Sequence, residues 1–284
     1  MKNQRQIRAD HDVDSANILG QMNNLDCRLA QNVDEIRRSQ NMRYDVFFDE
    51  LSAIPSPESS LKRRDIDEYD RHCEHLLVMD NNLDGRARSG KIVGSYRLLK
   101  QNKYTEDSGF YSQSEFDVEP MIKRHPDKKF LEFGRSCVLP SYRNKRTIEL
   151  LWQGSWAYVR RHHIDVMFGC ASFEGTDIDK LATPLSFLYH HKRAKDNWQV
   201  GAHPDHAIDM NLIEKDRLDS RSALKQLPPL IKGYLRLGAM ISGEAVIDRQ
   251  FGCVDVLIVL PVSELNPRYV NYYGANAERY LPGK

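Results

Sequence analysis

The chain contains no apolar run approaching the roughly 18 residues that a membrane-crossing helix needs, so any membrane association is expected to be peripheral. Its first 30 residues mix acids with bases and lack the apolar core of a signal peptide. Net charge is nearly absent. Against 41 basic side chains stand 40 acidic ones, leaving +1, which excludes the broad positive field of a nucleic-acid binder. Cysteine is scarce: Cys27, Cys73, Cys137, Cys170 and Cys253 are odd in number, far apart and form no C-x-x-C pair. That excludes a disulfide framework or a zinc site and suits a reducing cytoplasm. Cys137, Cys170 and Cys253 lie in apolar strand-like runs and read as packing residues. No G-x-G-x-x-G follows a strand, which excludes a dinucleotide-binding fold. Internal repeats and low-complexity segments are missing as well. The pairs His162–His163 and His190–His191 close helical stretches, where they complement the dipole; adjacent residues on a helix cannot both face one metal, and none is expected.

What is present is organised around Phe130 to Trp152, FLEFGRSCVLPSYRNKRTIELLW. An apolar run of strand length is punctuated by Pro140 and Ser141, and apolar residues at helical spacing begin at Thr147. Glu132 and Arg135 lie inside that strand with Gly134 between them. Two charges on a core strand cost several kcal/mol unless they are paired or face a cleft, so the spacing points to a site or to a plain salt bridge. Gly134 marks a bulge or a close approach of backbone or ligand. Beyond the strand, Arg143, Asn144, Lys145 and Arg146 lead into a helix whose first turn, with its free N–H groups, suits a phosphate.

Taken in order, residues 1–30 read as a polar, poorly ordered arm. A first helix follows, capped by Asn32 with Glu35 three residues later and carrying Arg43 in its apolar stripe, and Ile54 to Pro57 ends it. Lys62 to Asp70 is a charged loop holding Asp65, Asp67 and Asp70. Strands are expected at His75–Asp80 and Lys91–Leu99, the second with Arg97 inside an apolar run, and an irregular helical piece at Phe110–His125. After the central strand come a helix at Thr147–His162, a parallel strand at Val166–Ala171, and a helix at Asp179–His191. A short strand at Ala207–Leu212, helices at Ser220–Gln226 and Leu230–Leu237, and late strands at Val246–Ile247 and Val254–Leu260 complete the domain. The expected architecture is α/β, one domain over residues 31–265 with a mixed central β-sheet flanked by helices, and a tail over 266–284.

Strand, basic turn and helix in this order resemble the acyl-donor motif of the GNAT acyltransferase superfamily. The resemblance implies that a thioester donor lies between the parallel strands Phe130–Val138 and Val166–Ala171. Arg146 and Ile148 stand where that superfamily has glycines for the pyrophosphate of coenzyme A, which favours a phosphopantetheine carried by a protein. Arg43 with Phe47, Asp67-Glu-Tyr69-Asp70, Arg97-Leu-Leu and Glu132-Phe-Gly-Arg135 are similar, in the same order, to motifs of the acyl-homoserine-lactone synthases. RYDVFFDEL, VGSYRLL, FGRSCVLPSYR and above all LPPLIKGYLRLGA resemble the ornithine lipid synthesis N-acyltransferases, from about Arg43 to Val262.

The resemblance implies aminolysis of a 3-hydroxyacyl thioester on acyl carrier protein by the α-amino group of ornithine, with no permanently bound cofactor. Glu132 is then expected to take the amine's proton, directly or through water, with backbone N–H groups at Gly134 facing the thioester carbonyl and Arg135 holding the geometry. Arg43 and Arg97 are candidates for the amino acid's carboxylate, and Asp67 and Asp70 for its side-chain ammonium. Val138, Arg143, Lys145 and Arg146 would meet the phosphopantetheine, joined by Arg160, Arg161, Lys192 and Arg193 in docking an acidic carrier protein. A lipid product implies work at the inner face of the cytoplasmic membrane, with Leu230–Leu237 as the contacting helix. Rival readings are an acyl-homoserine-lactone synthase, an acyltransferase for another amino acid such as glycine, and a non-catalytic binder of acyl carrier protein.

Overall fold

The computed structural model describes residues 17–82, 90–103 and 109–277. Among the described residues nine strands form one sheet: β1 (Ile18–Met22), β2 (Leu25–Leu29), β3 (Glu74–Asp80), β4 (Lys91–Lys100), β5 (Phe130–Val138), β6 (Val166–Glu174), β7 (Ala207–Asp209), β8 (Met240–Asp248) and β9 (Cys253–Pro261). Their order is β1-β2-β3-β4-β5-β6-β9-β8-β7, and β5 and β6 make its parallel pair. The helices are α1 (Val33–Tyr44), α2 (Pro57–Lys62), α3 (Glu119–Arg124), α4 (Lys145–His162), α5 (Ile178–Lys192), α6 (Ser220–Gln226), α7 (Pro229–Leu237) and α8 (Pro267–Ala277).

Side-chain alternation along the strands divides the core into two faces. Val93, Leu131, Phe133, Met167 and Ile258 point to one face, packed under α4, α5 and α7. Leu99, Phe130, Phe168 and Leu257 point to the other, under Phe110, Phe116 and Met121, while Leu77, Met79 and Ile92 meet α1 there. The connection from β5 through α4 to β6 is the strand–helix–strand crossover that the sequence implies.

Two boundaries differ from expectation. The polar arm was expected through residue 30, but Ile18 to Leu29 forms a hairpin that adds β1 and β2 to the sheet, with Leu19 and Cys27 fully buried. Arg28, which made the segment look polar, is buried in a bidentate pair with Glu35 at 2.6 and 2.8 Å, and this pair fastens β2 to α1. Residues 1–16 lie outside the described part. At the other end the tail begins as α8, whose Tyr269 and Val270 pack on the α4 side of the core.

Candidate active site

Between β5 and β6 the sheet opens. The two strands pair over only three positions, ending at Glu132 opposite Phe168. Gly169 follows with φ +154°, and a Cβ there would lie 2.2 Å from the carbonyl oxygen of Phe133, so only glycine permits this approach. Beyond it β5 stays with β4 while β6 follows β9. β5 also bulges. Arg135, not Gly134, takes the left-handed conformation, with φ +50°, and a Cβ on Gly134 would meet nothing within 4 Å. The bulge turns the Arg135 side chain toward the acid loop.

On the α4 face the opening is a narrow apolar cleft whose walls include Phe133, Trp152, Met167, Gly169, Cys170 and Tyr234. Tyr234 of α7 stacks edge-on against Trp152, ring centroids 4.9 Å apart, and its hydroxyl lies 3.4 Å from that of Tyr96. The LPPLIKGYLRLGA segment therefore roofs this cleft. Ile231 and Leu237 are buried and Leu235 packs on the core, so much of the apolar stripe of α7 faces the protein, while Leu230 is half-buried.

The opposite face carries an ion-pair network. Arg43 bonds Asp65 at 2.7 Å and Asp70 at 2.8 Å; Arg97 reaches Asp67 at 2.5 Å and Asp70 at 3.4 Å; Arg135 reaches Asp65 at 3.2 Å and Asp67 at 3.3 Å. Three cations and three anions alternate, so each buried charge is compensated. Burial opposes ionisation of these aspartates, but Arg135 and Arg43 outweigh it at Asp65, Arg97 and Arg135 at Asp67, and Arg43 and Arg97 at Asp70. All three carboxyls are held below their usual range. Burial and then Arg43 push the His75 imidazole down, and its Nε2 lies 3.1 Å from the Asp70 carbonyl.

The network decides which expected residues a substrate can reach. Arg43 and Arg97 are 1% and 3% exposed, and their guanidinium groups are committed to aspartates. Asp67 and Arg135 face an open pocket bordered also by Phe48, Tyr69, Tyr111 and Gln250. Arg135 lies over the rings of Tyr111 and Phe251 at 4.7 and 4.8 Å. Glu132, 3% exposed, accepts the backbone N–H groups of Tyr111 and Ser112, both at 2.8 Å. Burial raises its pKa despite those bonds. Its position therefore fixes the turn that presents Tyr111.

Of the basic residues, Arg143 forms a bidentate pair with Glu50 at 2.6 and 2.7 Å and donates from Nε to the Val138 carbonyl. Lys145 and Arg146 are exposed at the first turn of α4, where Asn144 caps Thr147. Arg160 and Arg161 lie at the far end of the same helix, about 22 Å away at 1.5 Å per residue, so one phosphate cannot meet both pairs.

Tyr111, Glu115 and Asp255 join the site without having been anticipated. Glu115 and Asp255 come with Cys170 within 4.8 Å of one another, and Asp255 belongs to a second such set with Asp248 and Cys253. Both sets are within ligating distance of a cation. Burial, then neighbouring acids, push the carboxyls of Glu115 and Asp255 and the thiols of Cys170 and Cys253 upward, and the Cys170 thiol lies 3.6 Å from the Glu115 carboxylate. The Cys253 thiol donates to Asp255 at 3.2 Å.

Residues 42–153 match the model of an acetyltransferase (GNAT) domain. An L-ornithine N(alpha)-acyltransferase from Rhizobium meliloti (strain 1021) is 50% identical over 266 residues, 94% of this chain and 90% of its own length. The chain belongs to the L-ornithine N(alpha)-acyltransferase family. A family member from Brucella abortus (strain 2308) is 48% identical, covering 93% of this chain and 94% of its own. Among solved structures, an N-acyl amino acid synthase from uncultured soil microbes is similar with a TM-score of 0.48 at 9% identity, over 90% of this chain and 96% of that one. The fold is the GNAT fold expected from the sequence, and the chain is an acyltransferase. Among the described residues no helix is long and apolar enough to cross a membrane.

Proposed function

We propose that the chain moves a 3-hydroxyacyl group from the phosphopantetheine arm of acyl carrier protein to the α-amino group of ornithine, the first step toward an ornithine lipid. The observation that carries this reading is the opening between β5 and β6, apolar toward α4 and adjoined on the other face by a pocket with both a cation and an anion on its wall. An acyl thioester suits the first space. A zwitterion with a second ammonium suits the second: Arg135 is offered for the carboxylate and Asp67 for an ammonium.

In this reading Arg43, Asp70 and Arg97 hold the acid loop on the sheet, so Asp67 and Arg135 are presented at fixed spacing. Glu132 positions Tyr111 through the two backbone N–H groups it accepts, and Gly134 leaves open space beside the thioester. Val138 and the Arg143–Glu50 pair shape the turn, while Lys145 and Arg146 provide positive charge for the phosphate and an acidic carrier protein. A lipid product favours peripheral contact with a membrane.

The test is release of carrier-protein thiol by purified protein, with 3-hydroxyacyl carrier protein or the matching acyl coenzyme A as donor, against ornithine, other amino acids and S-adenosylmethionine. Release with carrier protein and ornithine, yielding an amide of the expected mass, is the expected outcome. Release only with S-adenosylmethionine, or equal use of the coenzyme A donor, contradicts it.

A further inference from the structure

We propose that Phe251, in the turn between β8 and β9, is a positioning residue for the acceptor: together with Tyr111 it holds the Arg135 guanidinium in the orientation that meets the amino acid's carboxylate. The inference rests on the acyl-transfer reading above, which offers Arg135 to that carboxylate.

The acid loop holds Arg135 from one edge. Nε reaches Asp65 at 3.2 Å and Nη2 reaches Asp67 at 3.3 Å, at the long end of the hydrogen-bond range, whereas Arg43 bonds its aspartates at 2.7 and 2.8 Å. The aspartates therefore do not occupy the Nη1–Nη2 end, which can meet a carboxylate with two parallel N–H groups. A long side chain held by two weak contacts loses rotamer entropy when a ligand fixes it, and that loss weakens binding. The rings reduce it beforehand. Cζ of Arg135 lies 4.7 Å from the centre of the Tyr111 ring and 4.8 Å from that of Phe251, within the range in which an aromatic face attracts a guanidinium.

Phe251 is itself fixed. Asp248 accepts the backbone N–H groups of Gln250 and Phe251 at 2.7 and 2.9 Å, and Gly252, with φ +63°, follows them in the turn. Gln250, on the pocket wall, is latched to the segment after α1: its carbonyl accepts the Ile54 N–H at 2.8 Å and its side-chain amide donates to the Ile54 carbonyl at 3.3 Å. Phe47 packs edge-on against the Phe251 ring at 5.6 Å, and Phe48 lies 6.1 Å from it. In the sheet β8 and β9 lie beyond β6, so it is their turn, not the strands, that brings a ring to Arg135 on β5.

The test compares wild type with Phe251→Leu, Phe251→Tyr and Arg135→Lys in the carrier-protein assay, varying ornithine and donor separately. 1,4-Diaminobutane, which is ornithine without its carboxylate, serves as a competing ligand. Phe251→Leu keeps an apolar side chain beside Phe47 and Phe48 but has no ring face. It is expected to raise the KM for ornithine about 5- to 30-fold, with kcat, the donor's KM and inhibition by the diamine staying near wild type. Phe251→Tyr, which restores the face, is expected to recover the KM. Pentafluorophenylalanine at position 251 keeps the ring's shape and its packing while withdrawing the negative charge of its face, and is expected to raise the same KM even where the leucine variant fails to fold. An ornithine KM unchanged in the fluorinated protein, or equal losses for ornithine and the diamine, would overturn the proposal. Arg135→Lys, which lacks the planar fork, is expected to raise the ornithine KM at least as far as Phe251→Leu; an unimpaired Arg135→Lys instead overturns the assignment of Arg135 to the carboxylate. A wild-type protein inactive with every acceptor overturns the acyl-transfer reading itself.

Discussion

At the scale of single residues, the chemistry of the site depends on charges that hold one another. Arg43 is the centre of this: it touches two of the three network aspartates and is almost wholly enclosed. Arg43→Ala leaves Asp65 and Asp70 short of a counter-ion in the interior, for an expected loss of about 3–5 kcal/mol in denaturant unfolding. A loss below about 1 kcal/mol would show the network to be ornamental. Gly169 acts through geometry instead. Gly169→Ala places a methyl against the Phe133 carbonyl in a backbone region that side chains rarely adopt, and is expected to cost at least about 1–3 kcal/mol and to abolish thiol release. The sequence made Glu132, Arg135 and the aspartates visible because charge stands out in apolar or short acidic stretches. It concealed Tyr111, Glu115 and Asp255, which are distant in the chain and gain meaning only where the fold brings them to Cys170 and Arg135.

At the scale of elements, periodicity located the interior strands and long helices, and β5 runs over the expected residues, Phe130–Val138. The β1–β2 hairpin escaped because its strands are short and polar, although Leu25, Cys27 and Leu29 alternate with Asp26 and Arg28. Arg28 reads as solvent-facing until Glu35 of α1 is seen to meet it. Deleting residues 1–29 removes Leu19, Leu25 and Cys27 from the core at roughly 1.5–3 kcal/mol for a large apolar side chain, a substantial share of a domain's ~5–15 kcal/mol. The truncated protein is expected to lose its near-ultraviolet circular dichroism; a native spectrum would make the hairpin dispensable. α7 was legible as an amphipathic helix, but helical amphipathicity does not say whether the apolar face meets a membrane or a sheet. Tyr234 and Trp152 answer that: the face covers the cleft.

At the scale of the whole molecule, the network and the Glu115 cluster give opposite pH signatures. The depressed pKa values of Asp65, Asp67 and Asp70 contribute stability that is present above the unfolded carboxyl pKa, about 4, and is lost as pH falls through the lower folded values. His75, whose pKa is lowered by burial, adds to the loss below about 6.5, where the unfolded chain binds the proton more readily. Glu115 works the other way. Its folded pKa is raised, so stability falls as pH climbs from the ordinary carboxyl value through about 8. Denaturant melts are expected to show Glu115→Gln gaining on wild type above pH 8 and matching it near pH 5; a pH-independent difference would contradict the assignment.

The same scale holds the central claim, that the sheet opens so that a thioester from the α4 face meets an amine from the other. A crystal structure with a stable conjugate of pantetheine, acyl chain and ornithine tests it most directly. The account expects pantetheine between β5 and β6 beside Trp152 and Tyr234, with ornithine beside Tyr111, Arg135 and Asp67. A conjugate lying wholly on one face, with the β5–β6 opening empty, would contradict it.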